Sequence, residues 1–122
     1  RDAVRGCDPA WLRRLYGFAA KPDIVFFFRL PLEAAVERVL GSRPRLKYFE
    51  AGMDLGLSGD IRESFRMFQE RVMEHYDRMA GENGFTVIDS TRAIPVQQEV
   101  IRRFIEEHID LGAYMRRVRR RV

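Results

Sequence analysis

Apolar residues recur at helical spacing in four stretches of the chain, and polar residues around them mark where each helix begins. In "DPAWLRRLYGFAA", Asp8 can cap the first helix, Pro9 suits its first turn, and residues 21–23 are expected to end it. The apolar stripe of this helix comprises Trp11, Leu12, Leu15, Tyr16 and Ala19. Such a stripe predicts a helix that packs one side against a core.

Two more helices flank a long connection, and a fourth begins at the proline of "STRAIP". "LEAAVERVL" has an apolar side and is expected to stop at Gly41. The third helix begins after Asp60, which forms a capping-box pattern with Glu63, and is expected to end at Gly81 or Gly84. The buried face predicted for the third helix comprises Phe65, Phe68, Val72, Tyr76 and Met79. That predicted for the fourth comprises Val96, Val100, Ile101, Phe104, Ile105 and Ile109.

Two strands are predicted between these helices. "IVFFFRL", residues 24–30, is β-branched and aromatic without alternation, which is typical of a strand buried on both faces of a parallel sheet. "FTVID", residues 85–89, is the second strand, and the alternation of helices and strands predicts an α/β fold with helical crossovers. Because two strands cannot form a sheet with both faces covered, we interpret the chain as the C-terminal half of a larger α/β domain. Its first residue, Arg1, is not methionine, which agrees with this expectation.

Composition is that of an ordinary globular domain. Of the 122 residues, 46% are hydrophobic and 33% are charged, and no apolar run approaches the roughly 20 residues that span a bilayer. No signal peptide is visible, and we expect no membrane partner. The single cysteine, Cys7, cannot form an internal disulfide, which favours a cytoplasmic location.

The net charge of +4 is concentrated near the end of the chain, where five arginines fall within "RRVRRRV", residues 116–122. Residues 114–122 are interpreted as a solvated, frayed basic tail. The alternative is a basic arm that attracts nucleic acid or acidic surfaces. Because neither zinc-ligand spacing nor an aromatic RNA-binding signature accompanies the tail, nucleic acid is not the expected partner.

The connection "RPRLKYFEAGMDLGLSGD", residues 43–60, has neither a helical nor a strand period, and we call it the flap. It opens with three basic residues, Arg43, Arg45 and Lys47, and its glycines would let the backbone bend. A connection this long is usually functional or disordered. Basic residues on a closing flap suit phosphoryl transfer, in which the protein positions a negatively charged group and stabilises its charge. A solvated surface loop is the alternative.

Other sites of catalysis are not apparent in the sequence. It contains neither G-x-x-x-x-G-K-[ST] nor G-x-G-x-x-G, and no convincing catalytic triad. His75 and His108 lie on predicted helices and are expected at the surface. With so few histidine and cysteine residues, no metal site is predicted.

The stretch "RGCDPAWLRRLYGFAAKPDIVFFFRLPLEAAVERVLGSR" resembles the part of thymidylate kinases that follows their Asp-Arg motif. The matching positions are Arg5, Gly6, Pro22, Asp23, Pro31, Glu33, Ala34 and Arg38. The flap then corresponds to the family's LID, about residues 42–59, and the match continues to about Ile109. The resemblance implies that residues 1–113 are the C-terminal half of a P-loop kinase domain. That domain is a three-layer α/β/α fold, and the two strands here are the last of its five.

The resemblance also implies roles for three groups of residues. Those that approach the adenine or the transferred phosphoryl are Arg43, Arg45 and Lys47. Those that reach toward the acceptor nucleotide are Tyr48, Phe49 and Glu50, and those beside the ATP adenine are Ser90, Thr91 and Arg92. The sequence departs from the family in reading Lys-Tyr-Phe-Glu for Arg-aromatic-Glu and in extending the LID with "AGMDLGLSG".

By the same resemblance, the intact protein is a homodimer that transfers the γ-phosphoryl of ATP to dTMP with Mg²⁺. The family's P-loop, its Asp-Arg motif and the glutamine that reads the pyrimidine lie upstream of the matching stretch. The chain is therefore expected to be inactive by itself. The alternatives are a kinase for another nucleoside monophosphate, a degenerate kinase, and a non-catalytic binding module that uses the basic tail.

Overall fold

The computed structural model describes residues 1–42 and 45–119. Within this part of the chain, β1 and β2 form a two-stranded parallel sheet, so the predicted α/β class is confirmed. The elements in chain order are α1 (Pro9–Leu15), β1 (Phe26–Arg29), α2 (Leu32–Ser42), a short 3-10 helix (Met53–Leu55), α3 (Ile61–Asn83), β2 (Thr86–Asp89), α4 (Ile94–His108) and α5 (Leu111–Arg119).

The first helix is shorter than the sequence predicts. Asp8 caps α1 as expected, and its side chain accepts a hydrogen bond from the amide of Ala10. The helix ends at Leu15, and Gly17, a residue of low helix propensity, follows its C-cap. The predicted end at residues 21–23 is therefore too late, and most of the apolar stripe is exposed.

Helix α3 packs on one face of the sheet. The amide of Thr86 donates to the carbonyl of Val25 at 2.9 Å, which aligns the two strands. The ring of Phe27 stacks on that of Tyr76 from α3, with 5.7 Å between the ring centroids. Phe28 points to the opposite face, because side chains alternate along a strand, and it is 48% exposed. Among the residues that the structure describes, burial of this strand on both faces is therefore not found.

The longest helix, α3, has a cap at each end. The Asp60 side chain accepts from the amides of the first turn, including that of Glu63 at 2.8 Å. The predicted capping box forms only in this half, because the amide of Asp60 donates to Ser58 Oγ and the Glu63 carboxylate binds Arg66. The helix passes through the first predicted stop and ends at Gly84, whose φ is +63°.

The core of the first part of the chain lies between α2, α3 and the flap. Its buried members are Val36, Ala51 and Phe65, and the half-buried residues packed against them are Leu32, Val39, Leu40, Leu46 and Met53. Phe65, Phe68 and Val72 of α3 are buried as predicted, whereas Tyr76 and Met79 are 48% and 42% exposed. Removing a buried phenylalanine ring typically costs about 3–5 kcal/mol, so α3 depends strongly on its first half.

The chain divides into two compact units, Arg1–Val87 and a second that starts at Ile88. The second unit contains α4, which has no buried residue, so the core face predicted for this helix is not buried here. It also contains α5, which the sequence analysis did not predict and which begins at a cap formed by Asp110 and the amide of Ala113. The backbone of residues 114–119, interpreted as a frayed tail, is thus helical, and residues 120–122 lie outside the described part.

Candidate functional site

The second half of the flap is packed against α3. Ala51 is fully buried, and its carbonyl accepts a hydrogen bond from the buried Ser64 Oγ at 2.8 Å. Gly52 has a φ of +67°, and a Cβ atom built on it would lie 2.8 Å from the side chain of Phe68. Gly56, with a φ of +61°, ends the 3-10 helix that starts after Gly52. These two glycines therefore serve close packing and capping.

Arg5 joins the start of the chain to this half of the flap. Its Nε donates to Asp54 Oδ2 at 2.8 Å, and its Nη2 donates to Asp54 Oδ1 at 3.2 Å and to the carbonyl of Phe49 at 2.6 Å. Its Cζ atom lies 4.8 Å from the ring centroid of Phe68, in cation–π geometry. One guanidinium thus binds two points of the flap and the helix beneath it.

The Arg5–Asp54 pair is partly shielded from solvent, with side chains 24% and 23% exposed. The hydrogen bond from Arg5 lowers the pKa of Asp54, and the same bond raises the pKa of Arg5. Both groups therefore stay charged across the neutral range. Local sequence patterns do not reveal this pair, because 49 positions separate the partners, and Arg5 stands out only through the Arg-Gly of the resemblance.

Two of the three basic residues at the start of the flap face solvent. Arg45 and Lys47 are exposed, and neither forms an ion pair with another residue that the structure describes. Leu46 between them is half-buried against the core. Arg43, the third predicted member, lies outside the described residues. The structure thus brings Arg45 and Lys47 together on one exposed stretch, where they are accessible to an anionic ligand.

Two aromatic side chains follow directly. Tyr48 and Phe49 are 56% and 68% exposed, and their rings meet edge to face with 5.2 Å between centroids. Glu50 is half-buried next to the fully buried Ala51. The predicted acceptor-side residues are therefore contiguous, with two exposed rings next to a carboxylate.

The predicted adenine loop belongs to the second unit. Asp89 Oδ1 accepts from the amide of Thr91 at 2.9 Å and from its hydroxyl at 2.6 Å, which closes a tight turn after β2. These bonds lower the pKa of Asp89. Arg92 Nε lies 3.5 Å from Asp89 Oδ2. The backbone carbonyl of Arg92 accepts a hydrogen bond from the side-chain amide of Gln97. Ser90 is half-buried in the same turn.

The described residues do not fit a metal site by themselves. Nowhere among them do three or more His, Cys, Asp or Glu side chains gather closely enough to hold an ion. Mg²⁺ in phosphoryl transfer is usually bound through one or two carboxylates together with the substrate phosphates.

Within the described residues, no helix is both long and apolar enough to cross a membrane.

Comparison with known proteins finds relatives whose names agree with one another. The chain is 39% identical over 111 residues to "Probable thymidylate kinase 2" of Saccharolobus solfataricus, which covers 90% of this chain and 52% of that protein. It is 34% identical over 118 residues to "Probable thymidylate kinase" of Methanoculleus marisnigri, covering 93% of this chain and 48% of the relative. No protein-family model matches the chain.

A third relative, "Probable thymidylate kinase" of Caldivirga maquilingensis, is 31% identical over 90 residues, or 74% of this chain and 37% of that protein. The chain thus spans about half the length of the first two relatives and less of the third. The resemblance drawn from the sequence is confirmed by these identities, and the chain belongs to the thymidylate kinase family.

Proposed function

We propose that the protein containing this chain is a nucleoside monophosphate kinase that transfers the γ-phosphoryl of ATP to dTMP, giving dTDP. The observation that carries the proposal is the 39% identity over 111 residues with a relative named a probable thymidylate kinase. The 122 residues contain no P-loop pattern. We therefore propose that other parts of the protein bind the ATP phosphates and that this chain alone is inactive.

In the proposed reaction, the start of the flap stabilises the transferred group. Phosphoryl transfer spreads negative charge over the equatorial oxygens, and the protein contributes mainly positioning and electrostatic stabilisation. Arg45 and Lys47 are exposed and unpaired among the described residues, so their charge is available to these oxygens. Arg43 is assigned to the adenine or the phosphates of ATP by the resemblance alone.

The stretch that follows is assigned to the acceptor nucleotide. Tyr48 and Phe49 present exposed rings that can pack on a base, and Glu50 supplies a hydrogen-bond acceptor beside them. The turn at Ser90, Thr91 and Arg92 is assigned to the adenine of ATP. The Asp89–Thr91 bonds support this assignment only in that they give the turn a defined backbone shape.

Mg²⁺ belongs to the proposal as a companion of ATP, and none of the roles above depends on a metal ligand from this chain. When bound, the ion would neutralise charge on the ATP phosphates. A homodimeric state and a cytoplasmic location complete the proposal. They are supported by the family resemblance, and the cytoplasmic location also by the single cysteine.

The experiment that tests the proposal is a turnover assay of the full-length protein. Purified protein is supplied with ATP, Mg²⁺ and one nucleoside monophosphate at a time, and diphosphate formation is measured for dTMP, dUMP, dCMP and AMP. We expect dTMP to give the highest kcat/KM. Higher kcat/KM with another monophosphate would reassign the acceptor, and failure of all four would contradict a kinase acting on these nucleotides. The separate 122-residue chain is expected to give no product.

A further inference from the structure

We infer that Arg5 is a positioning residue that holds the acceptor-binding stretch of the flap in place. Its contacts to Phe49 and Asp54 are called the latch. The inference rests on the proposed function, since it assigns a residue that acts through Tyr48–Glu50. Arg5 itself is not placed on either nucleotide.

The latch closes a short loop of the flap. Arg5 binds the carbonyl of Phe49 on one side and both carboxylate oxygens of Asp54 on the other, while its Cζ atom lies over the ring of Phe68. A guanidinium can make all these contacts at once because it is planar and carries five donors in a fixed fork. A lysine ammonium in the same place can keep the charge but not this set of directions.

The latch contributes to the orientation of the acceptor-side residues, together with the turn hydrogen bonds of the loop. The Phe49 carbonyl lies in the same rigid peptide plane as the amide of Glu50, so fixing that oxygen fixes the plane between the two residues. Packing does little of this work at Phe49, which is 68% exposed. Beyond Glu50 the backbone is already held, because the carbonyl of Ala51 accepts from Ser64 Oγ. The Phe49 carbonyl also accepts from the amide of Gly52 at 3.3 Å, a long bond within the turn. Arg5 therefore adds a shorter, charged bond of 2.6 Å to the same oxygen.

The chain offers a matched control for the chemistry of this contact. Arg29 on β1 binds Asp77 on α3 with the same two-pronged geometry, Nε to Oδ1 at 2.8 Å and Nη2 to Oδ2 at 2.9 Å. Neither residue belongs to the flap. Removing Arg29 thus breaks an ion pair of the same type and leaves the latch intact.

The kinetic test uses the full-length protein with Arg5→Gln, Arg5→Lys and Arg29→Gln, varying ATP and dTMP separately. Because a charge-assisted contact is lost, Arg5→Gln is expected to raise the KM for dTMP about tenfold and to change the KM for ATP less than about twofold. Arg5→Lys is expected to fall between wild type and Arg5→Gln. Arg29→Gln is expected to leave both KM values unchanged, since loss of folded enzyme lowers only the apparent kcat. Unchanged KM values for a folded Arg5→Gln or Arg5→Lys protein overturn the inference.

A second readout does not depend on catalysis. Backbone hydrogen exchange is measured by mass spectrometry for peptides that cover residues 48–56 in the same three variants. Exchange about tenfold faster in Arg5→Gln, with Arg29→Gln like wild type, supports the latch. Equal exchange in wild type and in both Arg5 variants overturns it, as does equal acceleration by Arg29→Gln. If wild type fails to phosphorylate dTMP, the proposed function falls while the exchange result still decides whether the latch exists.

Discussion

At the scale of single residues, Gly52 shows why the flap needs glycine at a defined position. Its φ of +67° disfavours any side chain, and an added Cβ would also lie 2.8 Å from Phe68. Gly56 has nearly the same φ, +61°, but open space around it. We expect Gly56→Ala to lower the free energy of unfolding by about 1–2 kcal/mol through backbone strain alone. Gly52→Ala should cost about 1–3 kcal/mol more, through overpacking. Urea melts of both variants give the comparison, and equal losses would show that Phe68 yields without cost.

The two exposed basic residues lead to a prediction about the chemical step. In the full-length protein, Arg45→Ala is expected to lower kcat by on the order of 10²–10³, the scale for one electrostatic donor to the transition state. KM values for ATP and dTMP should change less, because the contact is made mainly in the transition state. Arg62→Ala, an exposed arginine just beyond the flap, is the control. Unchanged kcat in both Arg45→Ala and Lys47→Ala would show that the flap does not touch the reacting phosphoryl.

The sequence indicated which residues could carry charge but not what holds them. Arg45 and Lys47 could be proposed because they lie two positions apart in a stretch that has neither a helical nor a strand period. Arg5 could not be assigned its role, since its partners Phe49 and Asp54 lie 44 and 49 positions away. Contacts over such distances depend on the packing of α3, which local patterns do not contain.

At the scale of elements, periodicity predicts four of the five α-helices that the structure describes and both strands, and it predicts their environment poorly. The caps at Asp8 and Asp60 lie where the sequence places them, since a cap depends on a few neighbouring residues. The apolar sides of α1 and α4 are predicted to be buried, yet most of the side of α1 is exposed and no residue of α4 is fully buried. An apolar stripe indicates which side of a helix avoids water, and it contains no information on which layer covers that side.

The ion pair between Arg29 of β1 and Asp77 of α3 makes the free energy of unfolding depend on pH in the acidic range. The Arg29 hydrogen bond lowers the pKa of Asp77 in the folded protein. The contribution of this pair to the free energy of unfolding is therefore complete above the pKa of an unfolded aspartate, about 3.9. It is lost as the pH falls through the lower pKa of the folded protein. We expect the difference in unfolding free energy between wild type and Asp77→Asn to stay constant from about pH 7 to 5 and to shrink below about pH 4. Urea melts across this range measure it. A difference that grows on acidification would contradict the assignment.

At the scale of the whole molecule, the exposure of Phe28 on β1 and the greater length of the relatives both favour a sheet with further strands. The chain matches 52% of one relative and 48% of another, and the family resemblance implies a sheet with further strands. In the 122 residues alone, Phe27 packs on Tyr76 while Phe28 is 48% exposed on the opposite face. An exposed phenylalanine is unusual in a continuously apolar strand, since such strands are typically buried on both faces.

Phe27 and Phe28 therefore form a matched pair for testing whether the full-length protein covers that face. If β1 is an interior strand with a layer on each side, Phe27→Ala and Phe28→Ala should each lower the unfolding free energy of the full-length protein by on the order of 3–5 kcal/mol. Phe27→Ala serves as the internal reference, since its contact with Tyr76 is already present in this chain. A loss of less than about 1 kcal/mol for Phe28→Ala beside a full loss for Phe27→Ala would show that the second face stays open to solvent. That outcome would contradict the three-layer arrangement in the intact protein while leaving the packing of α3 on β1 unchanged.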